Sequence, residues 1–431
     1  MAFLGFATII LFTILVMKKK VSAVAGLILF PIIFALLGGF GTEIGGMMIA
    51  GILQTSPTAV MLVFALLYFM IMYESGLFEP FICRILAIVG EDPVKIVVGT
   101  ALLVMIVSFD GDGASAVLIT ISAMYPIYRR VGVNPLIMAL MLALISPLMN
   151  WLPWGGPAAR AAISLNVDVA DIVVPMIPAL VISLLATLVF AYILGRSERR
   201  RLQSNGAEKL KYRSEDSDFH EPRPQMETKN FWFNLTLTIA LMVGLALNFV
   251  PLPALVMAAF ALALTVNYPD VKKQQECLKP HAGTALTLVT LILAAGSFTG
   301  ILSETGMVDA MAGSFLAIVP ESWGGHFGFV TALLSMPLLI ILSTDGFFLG
   351  VLPVLGQTGL AYGVPAEVIA RASLIGMPCH SISPLIPAIY FVATLLKTDI
   401  GSLQRFAWPW TFALSFIALI AATLTGAIYA V

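Results

Sequence analysis

Apolar runs long enough to cross a hydrocarbon layer of about 30 Å follow one another along the chain, and the polar residues between them are few and clustered. Residues 3–17, 21–39, 57–73, 170–195, 231–250, 251–268, 284–303 and 407–430 each read as a spanning helix. The other apolar stretches are interrupted. Arms 94–108 and 114–127 flank the polar tip "SFDGDG" (Ser108 to Gly113), and a second pair of arms within 329–361 flanks "STDGFFLG" (Ser343 to Gly350). Runs starting at Pro135 and Pro365 are broken in mid-course, one by "NWLPWGGPAARAA" (Asn150 to Ala162) and the other by "GMPCHSISPLIP" (Gly376 to Pro387). Non-helical backbone at membrane depth is tolerated only inside protein or along a water-filled cavity. The pattern therefore predicts two hairpins and two broken helices that converge on one site.

Charge supplies the orientation. Of the 23 Lys and Arg residues, 21 fall in 18–20, 74–96, 129–130, 196–230, 272–279 and 397–405, which a single threading places on one face, cytoplasmic by the positive-inside rule. The threading requires 94–127 and 329–361 to be re-entrant. Both termini are then expected on the extracytoplasmic side, and the hydrophilic segment 196–230, rich in both charge signs, reads as a flexible cytoplasmic linker. Lys18, Lys19 and Lys20 follow the first apolar run instead of preceding it, so the start reads as a retained span and not a signal peptide.

Similar segments recur at near-constant spacing: Glu74 to Glu304, Pro135 to Pro365 and Pro157 to Pro387 are each 230 residues apart, and Asp110 to Asp345 is 235. The chain thus reads as a tandem duplication of residues 1–195 in residues 231–431. Each copy holds five complete spans and one hairpin, an odd number of crossings, so the second enters the membrane inverted. The expected fold is an all-α polytopic membrane protein of two inverted repeats, with hairpins at about 94–127 and 329–361 and broken helices at about 135–166 and 366–397. Secondary transporters have this architecture, with substrate near the midplane between repeats.

Composition excludes other classes. With 59% hydrophobic and 11% charged residues the chain has too little polar surface for a soluble globule, and its net charge of −1 suits no nucleic acid. Cys83, Cys277 and Cys379 lack metal or disulfide spacing and read as packing residues.

"LLGGFGTE", "SFDGDG", "NWLPWGGPAARAA" and "VDVADI" resemble the CitMHS family of citrate–metal–proton symporters, in the ion transporter superfamily, and the similarity extends over nearly the whole chain outside 196–230. The resemblance implies uptake across the cell membrane of citrate complexed with a divalent cation, magnesium or similar, driven by protons. It also implies no enzyme activity, no permanent cofactor, and a homodimer with a fixed scaffold and a moving transport domain. Superfamily relatives that carry dicarboxylates with sodium bear Ser-Asn-Thr at the hairpin tips. Here Ser108-Phe109-Asp110 and Ser343-Thr344-Asp345 stand in those places, which argues against sodium binding of the usual kind.

A carboxylate at mid-depth costs roughly 2.5 to 3.5 kcal/mol, so Asp110, Asp112 and Asp345 need a cation, a proton or water as compensation. Asp110 and Asp345 occupy equivalent places and are expected to carry the coupled proton. Asp112 has no counterpart, Phe347 standing at the offset position, so with Asp110 it is the expected metal contact. The expected substrate contacts are Ser108, Gly111, Gly113, Ala114 and Ser115 at the first tip and Asn150, Trp154, Gly155, Gly156 and Arg160 at the first break. Ser343, Thr344 and Gly346 at the second tip and His380, Ser381 and Ser383 at the second break complete the set. Bland roles stand beside these: turn capping for the aspartates, snorkelling for Arg160 and Arg371, solvated helix ends for Glu74 and Glu304, and packing for Trp154. Transport of another carboxylate or anion in the same superfamily, channel or antiport activity, and intramembrane aspartyl hydrolysis are the alternative functions.

Overall fold

The computed structural model describes residues 1–109, 111, 113–204, 230–247, 249–317 and 321–429. Among them the chain is helical and carries no strand. Before the linker run α1 (Ala2–Met17), α2 (Ala23–Leu37), α3 (Ile44–Glu74), α4 (Glu79–Val89), α5 (Pro93–Val107), α6 (Gly113–Val131), α7 (Pro135–Met149), α8 (Gly156–Leu165) and α9 (Val169–Ser204). After it come α10 (Phe231–Leu247), α11 (Leu252–Asn267), α12 (Val271–Leu278), α13 (Ala282–Glu304), α14 (Met307–Leu316) and α15 (Phe327–Ile341). The chain closes with α16 (Leu352–Ala361), α17 (Ala366–Leu374), α18 (Met377–His380), α19 (Pro387–Leu395) and α20 (Ile400–Leu424).

Local chemistry sets the helix starts. Asp92 and Asn134 accept hydrogen bonds from the amides of Val94 and Leu136, and each is followed by a proline whose missing N–H is no loss in a first turn. With 15 residues α5 is about 22 Å long, short of the hydrocarbon thickness. A 3-10 turn from Glu321 extends α15, and by length and composition Trp323–Ile341 is long enough to cross a membrane. Segment 196–230, read from the sequence as a linker, is helical as far as Ser204, where Arg199 pairs with Asp92 and Arg201 with Glu198. Residues 205–229 lie outside the described residues.

Two sets of helices pack. In one, α3 lies against α11 and α13, with α2 also on α13. Small residues make the α3–α13 approach possible: a Cβ on Gly51 would lie 2.0 Å from the Gly296 carbonyl oxygen and 2.8 Å from the Gly300 Cα. In the other, α5 packs on α7 and α9, and α20 on α7, α9 and α18. The short helix α8 touches α3 and α13 of the first set and α9 and α17 of the second.

Three polar expectations meet different surroundings. Glu74, 32% exposed at the end of α3, is also paired: its carboxylate accepts from Tyr268 Oη (2.9 Å) and Cys277 Sγ (3.3 Å) and bonds His281 Nε2 (3.0 Å), because α12 folds back over the end of α3. Arg371 donates to the carbonyls of Asp171 and Ala427, both at 2.9 Å, instead of reaching out to water. Cys277 and Cys379 are buried, whereas Cys83 is exposed on α4.

Candidate functional site

The first break begins where α7 ends at Asn150 and finishes where α8 starts. A Cβ at residue 155 would sit 2.2 Å from the Asn150 carbonyl oxygen, so only glycine lets the chain fold this tightly. The Gly155 amide then donates to Leu152 O at 2.8 Å, and Pro157 falls in the first turn of α8. One turn further on stands Arg160.

The second tip faces it. After α15 the Ser343 hydroxyl accepts the Gly346 amide at 3.1 Å, and Gly346 opens a π-helical stretch, Gly346–Val351, that leads into α16. Gly346 and Gly350 press on Thr13 and Ile9 of α1, at 3.1 and 2.8 Å from where their Cβ atoms would lie. The turn aims Asp345 at the first break: Arg160 Nε donates to Asp345 Oδ1 at 2.6 Å. The two side chains are 21% and 18% exposed.

The second break is tied to the same turn. The last carbonyls of an α-helix have no partner within it, and here His380 Nδ1 bonds Leu339 O at 2.6 Å while Ser383 Oγ donates to Ile340 O at 2.7 Å. The other ring nitrogen, Nε2, bonds Thr344 Oγ1 at 2.7 Å.

These parts enclose a cavity of about 270 Å³. Of the residues expected to contact substrate, Gly113, Asn150, Arg160, Thr344, His380 and Ser381 line it. Gly155 and Gly156 shape the break behind Arg160. Ser343 and Ser383 spend their hydroxyls on backbone partners, and Gly346 packs on α1. Ser108 bonds the Ser146 hydroxyl at 3.0 Å, and Ser146 itself faces the cavity. Trp154 is not among the lining residues: its Nε1 donates to Phe109 O at 2.7 Å and its ring packs on Phe69. Gly111, at φ +79°, lies against Trp154. Asp110 and Asp112 lie outside the described residues, as do the side chains of Ala114 and Ser115. Among the described residues no group of three or more His, Cys, Asp or Glu side chains is arranged for a metal ion. A wider apolar groove of about 620 Å³ beside Trp323, Phe329 and Tyr429 shares no residue with this cavity.

Sequence reasoning missed Ser146 and the Leu339 and Ile340 carbonyls. For Ser146 a signal was available, a lone hydroxyl one helical turn before Asn150 in an apolar run. The carbonyls carry no signal in residue type.

A family model described as Citrate transporter, CitMHS, matches residues 1–376. A Bacillus subtilis protein named Citrate transporter is 46% identical over 99% of both chains. Another from the same organism, a Mg(2+)/citrate complex secondary transporter, is 43% identical over 99% of both. The solved Alcanivorax borkumensis YdaH transporter, described as having an unusual topology, superposes with a TM-score of 0.61 over 90% of this chain and 88% of its own. At 15% identity that likeness concerns the fold alone.

Proposed function

Because the chain belongs to the CitMHS citrate transporter family, and is therefore a multi-pass membrane transporter and not an enzyme, we propose that it imports citrate complexed with a divalent metal ion together with protons. One observation carries the reading of the site: Arg160, the only cation among the described residues that line the cavity, is held by Asp345 from the other half of the sequence. Citrate near neutral pH carries about three negative charges, and its complex with a divalent ion about one. A single guanidinium matches the complex and is outnumbered by free citrate.

A substrate carboxylate and Asp345 compete for Arg160. When Asp345 takes a proton it releases the guanidinium, which then binds the substrate carboxylate in a charge-assisted pair. Before binding, the pair sums to zero charge. With one complex and one proton bound it again sums to zero, so the exchange adds no net charge at Arg160 and escapes the roughly 2.5 to 3.5 kcal/mol cost of an uncompensated charge at mid-depth. Asp112, with Asp110, is assigned to the metal, whose preference for hard oxygen ligands suits carboxylates. Access alternates by movement of the hairpins and broken helices against α2, α3, α11 and α13, in two inverted copies within a homodimer, the termini outside and the linker in the cytoplasm.

Uptake by membrane vesicles tests the reading. Labelled citrate should accumulate only with a divalent metal and an inward proton gradient. Equal uptake with excess chelator present would reject the metal complex as substrate.

A further inference from the structure

The hydrogen bonds around His380 fix the polarity of one hydroxyl in the cavity. Leu339 O can only accept, so the His380 Nδ1 at 2.6 Å carries a hydrogen. His380 is 7% exposed, and among the described residues both its nitrogens meet neutral oxygens, the arrangement of a neutral imidazole. Its Nε2 is then a bare lone pair. Thr344 Oγ1, 2.7 Å away, must donate its one proton there. What Thr344 presents to the cavity it lines is therefore lone pairs alone.

A metal-bound citrate offers such an acceptor a single donor. Its carboxylates are acceptors and are repelled by the Thr344 lone pairs, whereas its hydroxyl, made more acidic by the metal, can donate. We propose that Thr344 is the specificity-determining contact for the substrate hydroxyl, and that His380 is a positioning residue that keeps Thr344 an acceptor. The proposal rests on the metal–citrate reading above. The same polarity orients the substrate, with the hydroxyl toward the second tip and a carboxylate toward Arg160 on α8.

The test compares citrate with propane-1,2,3-tricarboxylate, which lacks only the hydroxyl, each supplied to proteoliposomes at equal concentration of its magnesium complex. Sites that bond a substrate hydroxyl reject the deoxy analogue by about 10⁴-fold when fully buried. Thr344 is half-buried, so the wild-type preference in kcat/KM is expected at about 100-fold. Thr344→Val should lower citrate uptake by about 10- to 100-fold and leave the deoxy compound within about threefold, while Thr344→Ser keeps the wild-type preference. His380→Phe, if it reaches the membrane, should shrink the preference by letting the threonine hydroxyl turn and donate. Should it fail to fold, the two Thr344 variants decide alone. Equal losses of both substrates in Thr344→Val, as expected if Thr344 touched the metal or only supported the turn, would overturn the proposal. So would a wild-type protein that transports both complexes equally well. A wild type without metal-dependent citrate uptake removes the parent reading, and this one with it.

Discussion

Replacing Asp345 with asparagine separates the proton from the hydrogen bond. The amide oxygen can still accept from Arg160, but the charge that competes with substrate is gone. Two opposite charges about 4 Å apart attract by about 4 kcal/mol at an effective dielectric constant of 20, and hydrogen bonds to charged groups contribute about 1.5 to 3 kcal/mol net. Each side chain is about a fifth exposed, at 21% and 18%, so solvent screening places the competition at about 2 kcal/mol. At 1.36 kcal/mol per decade that is about 30-fold in affinity. Under the proposed exchange the wild type takes up a proton with each complex, so its affinity should fall by up to tenfold per pH unit where Asp345 is ionised, until the ion pair's own cost of about 30-fold is reached. Asp345→Asn should show no slope and, at the high-pH limit, bind magnesium–citrate about 30-fold more tightly than the wild type. Calorimetric titration of the purified protein over a range of pH measures both. In proteoliposomes the variant should exchange citrate between internal and external pools yet fail to concentrate it under a proton gradient. Because an unpaired Arg160 destabilises the folded state, citrate should raise the variant's Tm more than the wild type's. A wild-type pH slope, or full uphill accumulation by the variant, would refute the exchange of partners at Arg160.

Other outcomes follow. Asp112→Asn should weaken transport or reorder the preference among magnesium, calcium and manganese, read from uptake with a panel of metals; unchanged ranking and rate would remove Asp112 from the metal site. Gly155→Ala meets backbone at 2.2 Å and should lower yield and Tm, whereas Gly156→Ala meets only the Arg160 Nη1, at 2.6 Å, and should fold while raising the KM for the citrate complex. Asp92, held below its ordinary value of 3.8 first by the bond from Arg199, contributes stability that is present above that value and lost as pH falls through the lowered one. Asp92→Asn keeps the helix cap and should show a small Tm deficit at neutral pH that closes in acid; a deficit constant down to pH about 2 would assign it to something other than the ion pair.

Much of this geometry is written in residue types whose physics is local. Proline and glycine end α7 at Asn150 and restart the chain at α8, within the region 135–166 marked by the Pro-Trp-Gly-Gly-Pro run. Asp92 and Asn134, each followed by proline, mark the starts of α5 and α7. Tertiary meetings are less legible. Arg160 and Asp345 are 185 positions apart, and each alone reads equally well as an anchor, a cap or a snorkelling charge. Hydropathy offers no help at the π-helical stretch, since a run facing lipid and a run packed on α1 are equally apolar. Its signal is steric, Gly346 and Gly350 one turn apart and both against α1. The pairing of Glu74 is hidden for the same reason: its partners Tyr268, Cys277 and His281 belong to a segment about 200 residues away that reads as an ordinary polar connection.

Trp154 turns its position into a reporter. Its indole is bonded to the Phe109 carbonyl at the first tip and its ring lies 4.6 Å, centroid to centroid, from Phe69 on α3. A shift of the tip relative to α3 changes the local field at the indole and the collisions that quench it, and fluorescence responds to both. In a protein stripped of the other five of its six tryptophans, the emission maximum and lifetime of this one residue would follow the transport cycle in real time without any attached dye.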